Sequence, residues 1–216
     1  MRWREAFDRL ADHTQGQHGL VTRAQARLAG VDDRTLHRLV RDGDLERVAR
    51  GVYRFRRDRD AEHQDVWAAW LRLDPARTAE QRDRRPGGPD AVVSHESAAK
   101  LYGLGDLGPT VHTFTVPRPQ RSGHRDIRLV DAPLRRDEWE WVAGLPTTRP
   151  RRLVADLLAD GHDERGVVRV AQDALRWWHL LEGELAEALA PFAERYGGPR
   201  GDGEWLLRRL LVDRPG

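Results

Sequence analysis

The sequence predicts an α+β protein in two parts, a small helical domain closed by a β-hairpin and then a mixed domain with a small sheet and packed helices. Three observations lead there. Residues 20–55, LVTRAQARLAGVDDRTLHRLVRDGDLERVARGVYRF, alternate short helical patterns with tight turns and end in two strand-like runs. Residues 111–131 hold two further strand patterns, VHTFTVP and DIRLVDA. From Pro150 onward the chain reads as a series of amphipathic helices.

Thr22 is placed to cap a short helix, Arg23–Ala29, because its hydroxyl can accept from an orphan backbone N–H of the first turn. Gly30 follows where a left-handed backbone is needed to leave that helix sharply. Asp32 caps a second helix in which Leu36, Leu39 and Val40 share one buried stripe. The opposite stripe carries Arg34, His37 or Arg38, and Arg41, with Asp33 and Thr35 near its start. Gly43 ends this helix, and LERVARGVYRF reads as two strands joined at Ala49-Arg50-Gly51. Upstream, Trp3, Phe7, Leu10 and Ala11 form the apolar stripe of a first helix.

In that order the elements make a winged helix-turn-helix, and a helix polar and basic on one face suits entry into the major groove of duplex DNA. Arg34, Thr35, His37, Arg38 and Arg41, with Asp33, are the candidate groove residues. Thr22 and Arg23 are further candidate DNA-binding residues, and Arg47, Arg50 and Arg54 of the wing are expected at phosphates. The plain alternative is a helical hairpin whose arginines only solvate it.

Charge supports the DNA reading. Residues 1–57 hold 13 Arg and 8 acids, a net +5, whereas residues 58–216 carry −3 within an overall +2. The positive excess sits where phosphate binding requires it. Cys is absent, which rules out disulfides and thiolate chemistry. No apolar run approaches membrane-spanning length and no secretory leader is visible, so a cytoplasmic protein without membrane contact is expected.

The expected boundary lies after the wing, giving a DNA-binding domain over 1–57 and an α+β domain over 58–216. Val66, Trp67, Trp70, Leu71 and Leu73 mark the apolar face of a helix, and Ala76–Asp90 reads as a mobile Pro/Gly-rich loop. In SHESAAKLYGL, Ser94 can cap a helix that turns Ala98, Leu101 and Tyr102 inward and stops at Gly103. A basic turn, RPQRSGHR, joins the two strands, and WEWVAGLPTT is a further extended segment. The helices PRRLVADLLADG, ERGVVRVAQDALRWWHLL and ELAEALAPFAERYGG, then one near Glu204–Val212, complete the chain.

No catalytic, metal or cofactor site is expected. His95, His112 and His124 lie on separate elements without paired ligand spacing. Ser94 and His95 are neighbours at a helix start, where side chains about 100° apart are badly placed for proton transfer, so His95 reads as a partly exposed residue. GLGDLGP lacks the lysine of a phosphate loop, and Lys100 stands without the clustered acids a nuclease needs. Trp177-Trp178 reads as core, or as an interaction face if one ring is exposed.

The succession of a helix-turn-helix ending in GVYRF, then VVSHESAAKLYGL, LPTTRPRRLVADLLADG and VAQDAL resembles the AbiEi family of type IV toxin–antitoxin antitoxins over roughly residues 15–180. The resemblance implies a winged domain that represses its own operon by binding the operator. It also implies a C-terminal domain that antagonises a nucleotidyltransferase-like toxin, a partnership that need not involve a stable complex. A stand-alone winged-helix transcription factor, with a ligand-sensing or dimerising second domain, stays open beside it.

Overall fold

The computed structural model describes residues 3–14, 16–56, 62–84 and 86–212. The fold is α+β, as the sequence predicts, in two compact units: Met1–Ala91 with Ala143–Leu145, and Val92–Val142 with Pro146–Gly216.

The first unit runs α1 (Trp3–Thr14), β1 (Leu20–Thr22), α2 (Arg23–Leu28), α3 (Asp33–Arg41), β2 (Leu45–Ala49), β3 (Val52–Phe55), α4 (Gln64–Leu71) and α5 (Ala79–Asp83). Its sheet has the order β1-β3-β2, antiparallel throughout, with Leu20 opposite Arg54 and Leu45 opposite Phe55. Ala6 and Leu10 of α1, Ala26 of α2, Leu36 and Leu39 of α3, and Tyr53 and Phe55 of β3 meet in one core. Of the stripe expected on α1, Leu10 is buried and Ala11 half-buried, while the Trp3 and Phe7 side chains lie outside the described residues.

This unit does not stop after the wing. In α4 every residue from Val66 to Leu71 is buried, which marks a helix covered all round rather than on one stripe. It packs on β2, so the compact unit extends to Ala91 instead of ending near residue 57. Ala76–Asp90 also departs from the mobile loop expected. Thr78 and Gln81 form a capping box that starts α5, and Arg82 is buried, donating to Trp70 O at 2.6 Å and to Asp90 Oδ1 at 2.8 Å.

The second unit contains β4 (Val92–Val93), α6 (His95–Tyr102), β5 (His112–Val116), β6 (Ile127–Asp131), β7 (Trp139–Val142), β8 (Leu145–Thr148), α7 (Pro150–Ala159), α8 (Glu164–Trp177), α9 (Glu182–Leu189) and α10 (Gly203–Val212). Its sheet order is β6-β5-β4-β8-β7. β5 and β6 are parallel, so the basic segment between them is a crossover and not a hairpin turn. All five residues of β5 are buried. WEWVAGLPTT is two strands, because Ala143 and Gly144 both take positive φ (48° and 78°), the backbone a two-residue hairpin turn demands. Pro150 opens α7 at its first turn, where its missing N–H costs nothing. α10 crosses α9 so closely that a Cβ on Gly203 would lie 1.8 Å from Ala186 O.

Candidate nucleic-acid interface

Thr22 caps α2 in a reciprocal box: its Oγ1 accepts from Gln25 N at 3.0 Å, and its own N–H donates to Gln25 Oε1 at 3.0 Å. The same hydroxyl donates to Pro75 O, and the residue is 1% exposed. The expectation that Thr22 binds DNA is therefore corrected to a structural role. Gly30 turns out of α2 at φ 78°, with Arg9 Nη1 2.7 Å from where a Cβ would sit. Asp32 then caps α3, its Oδ1 accepting from Thr35 N at 2.8 Å, and hydrogen bonding by the Thr35 side chain and then its backbone N–H holds the Asp32 carboxyl below the ordinary carboxylate range.

On α3, Thr35 faces inward with Leu36 and Leu39, so its hydroxyl is not a groove contact. Arg34, His37 and Arg41 are exposed and Arg38 is half-buried, which leaves a basic stripe on the outer side at i, i+3, i+4 and i+7. On the wing, Arg47 and Arg50 are exposed, with Arg47 Nε donating to Ala49 O at 3.3 Å. Arg54 differs from the expectation. β3 is the central strand of its sheet, and Arg54 is only 6% exposed and ion-paired with Glu46, so it is not on the outer surface of the wing.

Arg23 and Asp33 were both expected at DNA, and the structure pairs them with each other. Arg23 donates from Nε to Asp33 Oδ1 at 2.7 Å and from Nη2 to Oδ2 at 2.6 Å. Arg27, which the sequence reading passed over, donates to the same Oδ2 at 2.5 Å. Its position four residues after Arg23 put it on the same face of α2, a usable signal. The two guanidinium groups hold the Asp33 carboxyl far below the usual carboxylate range.

In the second unit the Ser94–His95 pair departs from the sequence reading, since His95 has φ 52°, which swings its ring back so that Nδ1 lies 3.0 Å from Ser94 Oγ. His95 is 4% exposed and Ser94 fully buried, so this is an interior polar contact and not a partly exposed helix start. Burial pushes the imidazole pKa down. Trp178 stacks edge-on against Tyr102 and donates from Nε1 to Tyr102 O at 3.2 Å, whereas Trp177 is 62% exposed. Arg118, Arg121 and Arg125 of the crossover are exposed. Among the described residues, no group of three or more His, Cys, Asp or Glu could hold a metal ion, and no helix is long and apolar enough to cross a membrane.

A three-helix core, a capped recognition helix and a two-stranded wing define the first unit as a winged helix-turn-helix of the DNA-binding regulator class. Residues 8–56 match the family model described as transcriptional regulator, AbiEi antitoxin, a similarity confined to the first unit that agrees with the resemblance read from the sequence. A comparison of structures matches the crystal structure of RV2827C protein from Mycobacterium tuberculosis, with a TM-score of 0.55 and 16% sequence identity. That match covers 96% of this chain and 76% of the other, and it speaks for a shared fold. Comparison with curated proteins gives no match.

Proposed function

We propose that the chain binds double-stranded DNA at the operator of its own operon as an autorepressor, and that it acts as an antitoxin against a nucleotidyltransferase-like toxin. The observation that carries the DNA reading is the outward stripe Arg34, His37, Arg38 and Arg41 on a helix whose other face is locked into the core. Arg presented to a guanine edge contributes about 1–3 kcal/mol of discrimination. Arg38→Ala is expected to lower the preference for the upstream duplex over shuffled DNA by that amount, measured by fluorescence anisotropy at fixed salt. An unchanged preference overturns the assignment of α3.

The antitoxin half rests on the family match and on a separate second unit with an exposed ring at Trp177. Co-expression with the neighbouring open reading frame tests it. Restored growth supports a toxin–antitoxin pair. Failure of rescue, together with intact operator binding, favours the stand-alone regulator, whose second unit would sense a ligand or dimerise.

A further inference from the structure

We infer that Asp33 makes phosphate contact by Arg23 and Arg27 conditional on DNA sequence: in the free protein its carboxylate holds both guanidinium groups, and a base-edge amino group in the correct site takes their place. The inference rests on the proposed binding of duplex DNA through α3.

The ion triad is solvent-facing, with side chains 52% exposed for Arg23, 59% for Arg27 and 29% for Asp33. Pairs so exposed contribute little to stability, so holding α2 to α3 is a weak account of the arrangement. Nor is Asp33 needed as a cap, since Asp32 already accepts from Thr35 N. Asp33 instead turns sideways to α2, the helix that in this class crosses the phosphate backbone while the N-terminal residues of the next helix reach base edges. Three guanidinium N–H groups end on one carboxylate, with both of its oxygens engaged. Two arginines on the backbone-crossing helix are thereby kept from phosphates, and the triad presents one net positive charge instead of two.

At an arbitrary sequence, phosphates must compete with a bidentate carboxylate that has nowhere better to go. At the right sequence the exocyclic amino group of cytosine or adenine donates to Asp33, and Arg23 and Arg27 swing to the backbone. Base recognition and electrostatic affinity then become one event. The carboxylate acts chiefly by lowering affinity for wrong DNA.

The test uses the full chain and a duplex selected from a random pool by the wild-type protein, beside a shuffled duplex of equal composition. For Asp33→Asn, affinity for the shuffled duplex at low salt is expected to rise by about tenfold, and its log–log salt slope to steepen by up to about 2 units. Affinity for the selected duplex should change far less, so the ratio between them collapses. The reciprocal variant, Arg23→Gln with Arg27→Gln, lowers the charge seen by any duplex but should weaken the selected duplex clearly more than the shuffled one, and it serves equally if Asp33→Asn does not fold. Equal losses on both duplexes, or unchanged slopes with only a lower melting temperature, make the triad a structural link and overturn the inference. Selection that enriches no duplex overturns the proposed DNA binding, and the inference with it. Selective wild-type binding with an indifferent Asp33→Asn overturns the inference alone.

Discussion

Arg82 lays its guanidinium 3.4 Å from the centre of the Trp70 ring while donating from Nη1 to the carbonyl oxygen of that same residue. Its Nη2 reaches Asp90, and its side chain is 1% exposed. One residue of a segment rich in charge, Pro and Gly thus closes over the end of α4.

Arg82→Ala is expected to destabilise the first unit by about 3 kcal/mol, because it removes the buried guanidinium's bonds to Asp90 and to the Trp70 carbonyl and strips the ring of its cation. Denaturant unfolding followed by Trp fluorescence measures it. A loss under about 1 kcal/mol, the range of an exposed pair, would show that the stacked arrangement carries no weight. Arg82→Lys should recover little, since a point charge can neither stack nor fork between two acceptors.

Two aspartates one helical turn apart should respond to acid in opposite senses. Asp160 accepts a bidentate bond from Arg128, which holds its carboxyl below the ordinary carboxylate range. Its stabilisation is therefore present above the ordinary, unfolded-state pKa and is lost as pH falls through the lower folded-state one. Asp156 is 8% exposed, and burial pushes its pKa up despite the Arg152 guanidinium at 2.7 Å. Its charge is a cost at neutral pH, relieved on acidification. Asp160→Asn should cost about 0.5–1 kcal/mol at pH 7, the pair being partly exposed, and should flatten the loss of stability below pH 4. Asp156→Asn should cost less at pH 7 although it is the more buried. The reverse ranking in urea titrations at several pH values contradicts this account.

The wing is expected to act through charge alone. Arg50 is exposed at the hairpin turn, whereas the buried Arg54 is held by Glu46. Arg50→Ala should weaken binding to all duplexes similarly and shallow the log–log salt slope by about 1 unit, while Arg54→Ala should lower stability and leave the slope alone. A change of base preference on removing Arg50 would argue instead for insertion of the wing into the minor groove.

How much of this was legible beforehand follows from the range of the interactions. The Thr22 and Asp32 caps, the Gly30 turn and the Leu36/Leu39 stripe are set within four residues, so local spacing located helix, turn and helix. Arg54 was misplaced because alternation along a strand does not reveal that β3 lies between β1 and β2. The Ser94–His95 contact escaped because it depends on a left-handed His95, a conformation that residue identity disfavours but does not forbid. Parallel pairing of β5 with β6 was hidden for the same reason as the boundary at Ala91: each is fixed by partners distant in sequence.

That boundary leads to a prediction about the smallest DNA-binding fragment. Gln17 and Gln25 are fully buried, and Gln17 Nε2 donates to Gln25 Oε1 at 2.8 Å. Both also bond beyond the wing: Gln25 Nε2 donates to Arg77 O at 2.7 Å, and Gln17 Oε1 accepts from Ala79 N at 3.1 Å. A fragment ending at residue 57 loses those partners, the Pro75 acceptor of Thr22 and the whole of α4. Each fully buried apolar side chain contributes about 1.5–3 kcal/mol. Removing Val66, Trp67, Trp70 and Leu71 therefore takes away a large part of the 5–15 kcal/mol that typically holds a domain together. Residues 1–57 are accordingly expected to show no cooperative thermal transition and no selective DNA binding, although they contain the helix-turn-helix and the wing. Residues 1–91 should melt cooperatively and bind the duplex that the full chain selects, although they lack Ala143–Leu145 and with it the Ala143 carbonyl that accepts from Trp67 Nε1. Circular dichroism melts and anisotropy on the two fragments decide the matter. Equal midpoints and affinities would make α4 and α5 an appendage and return the boundary to the end of the wing.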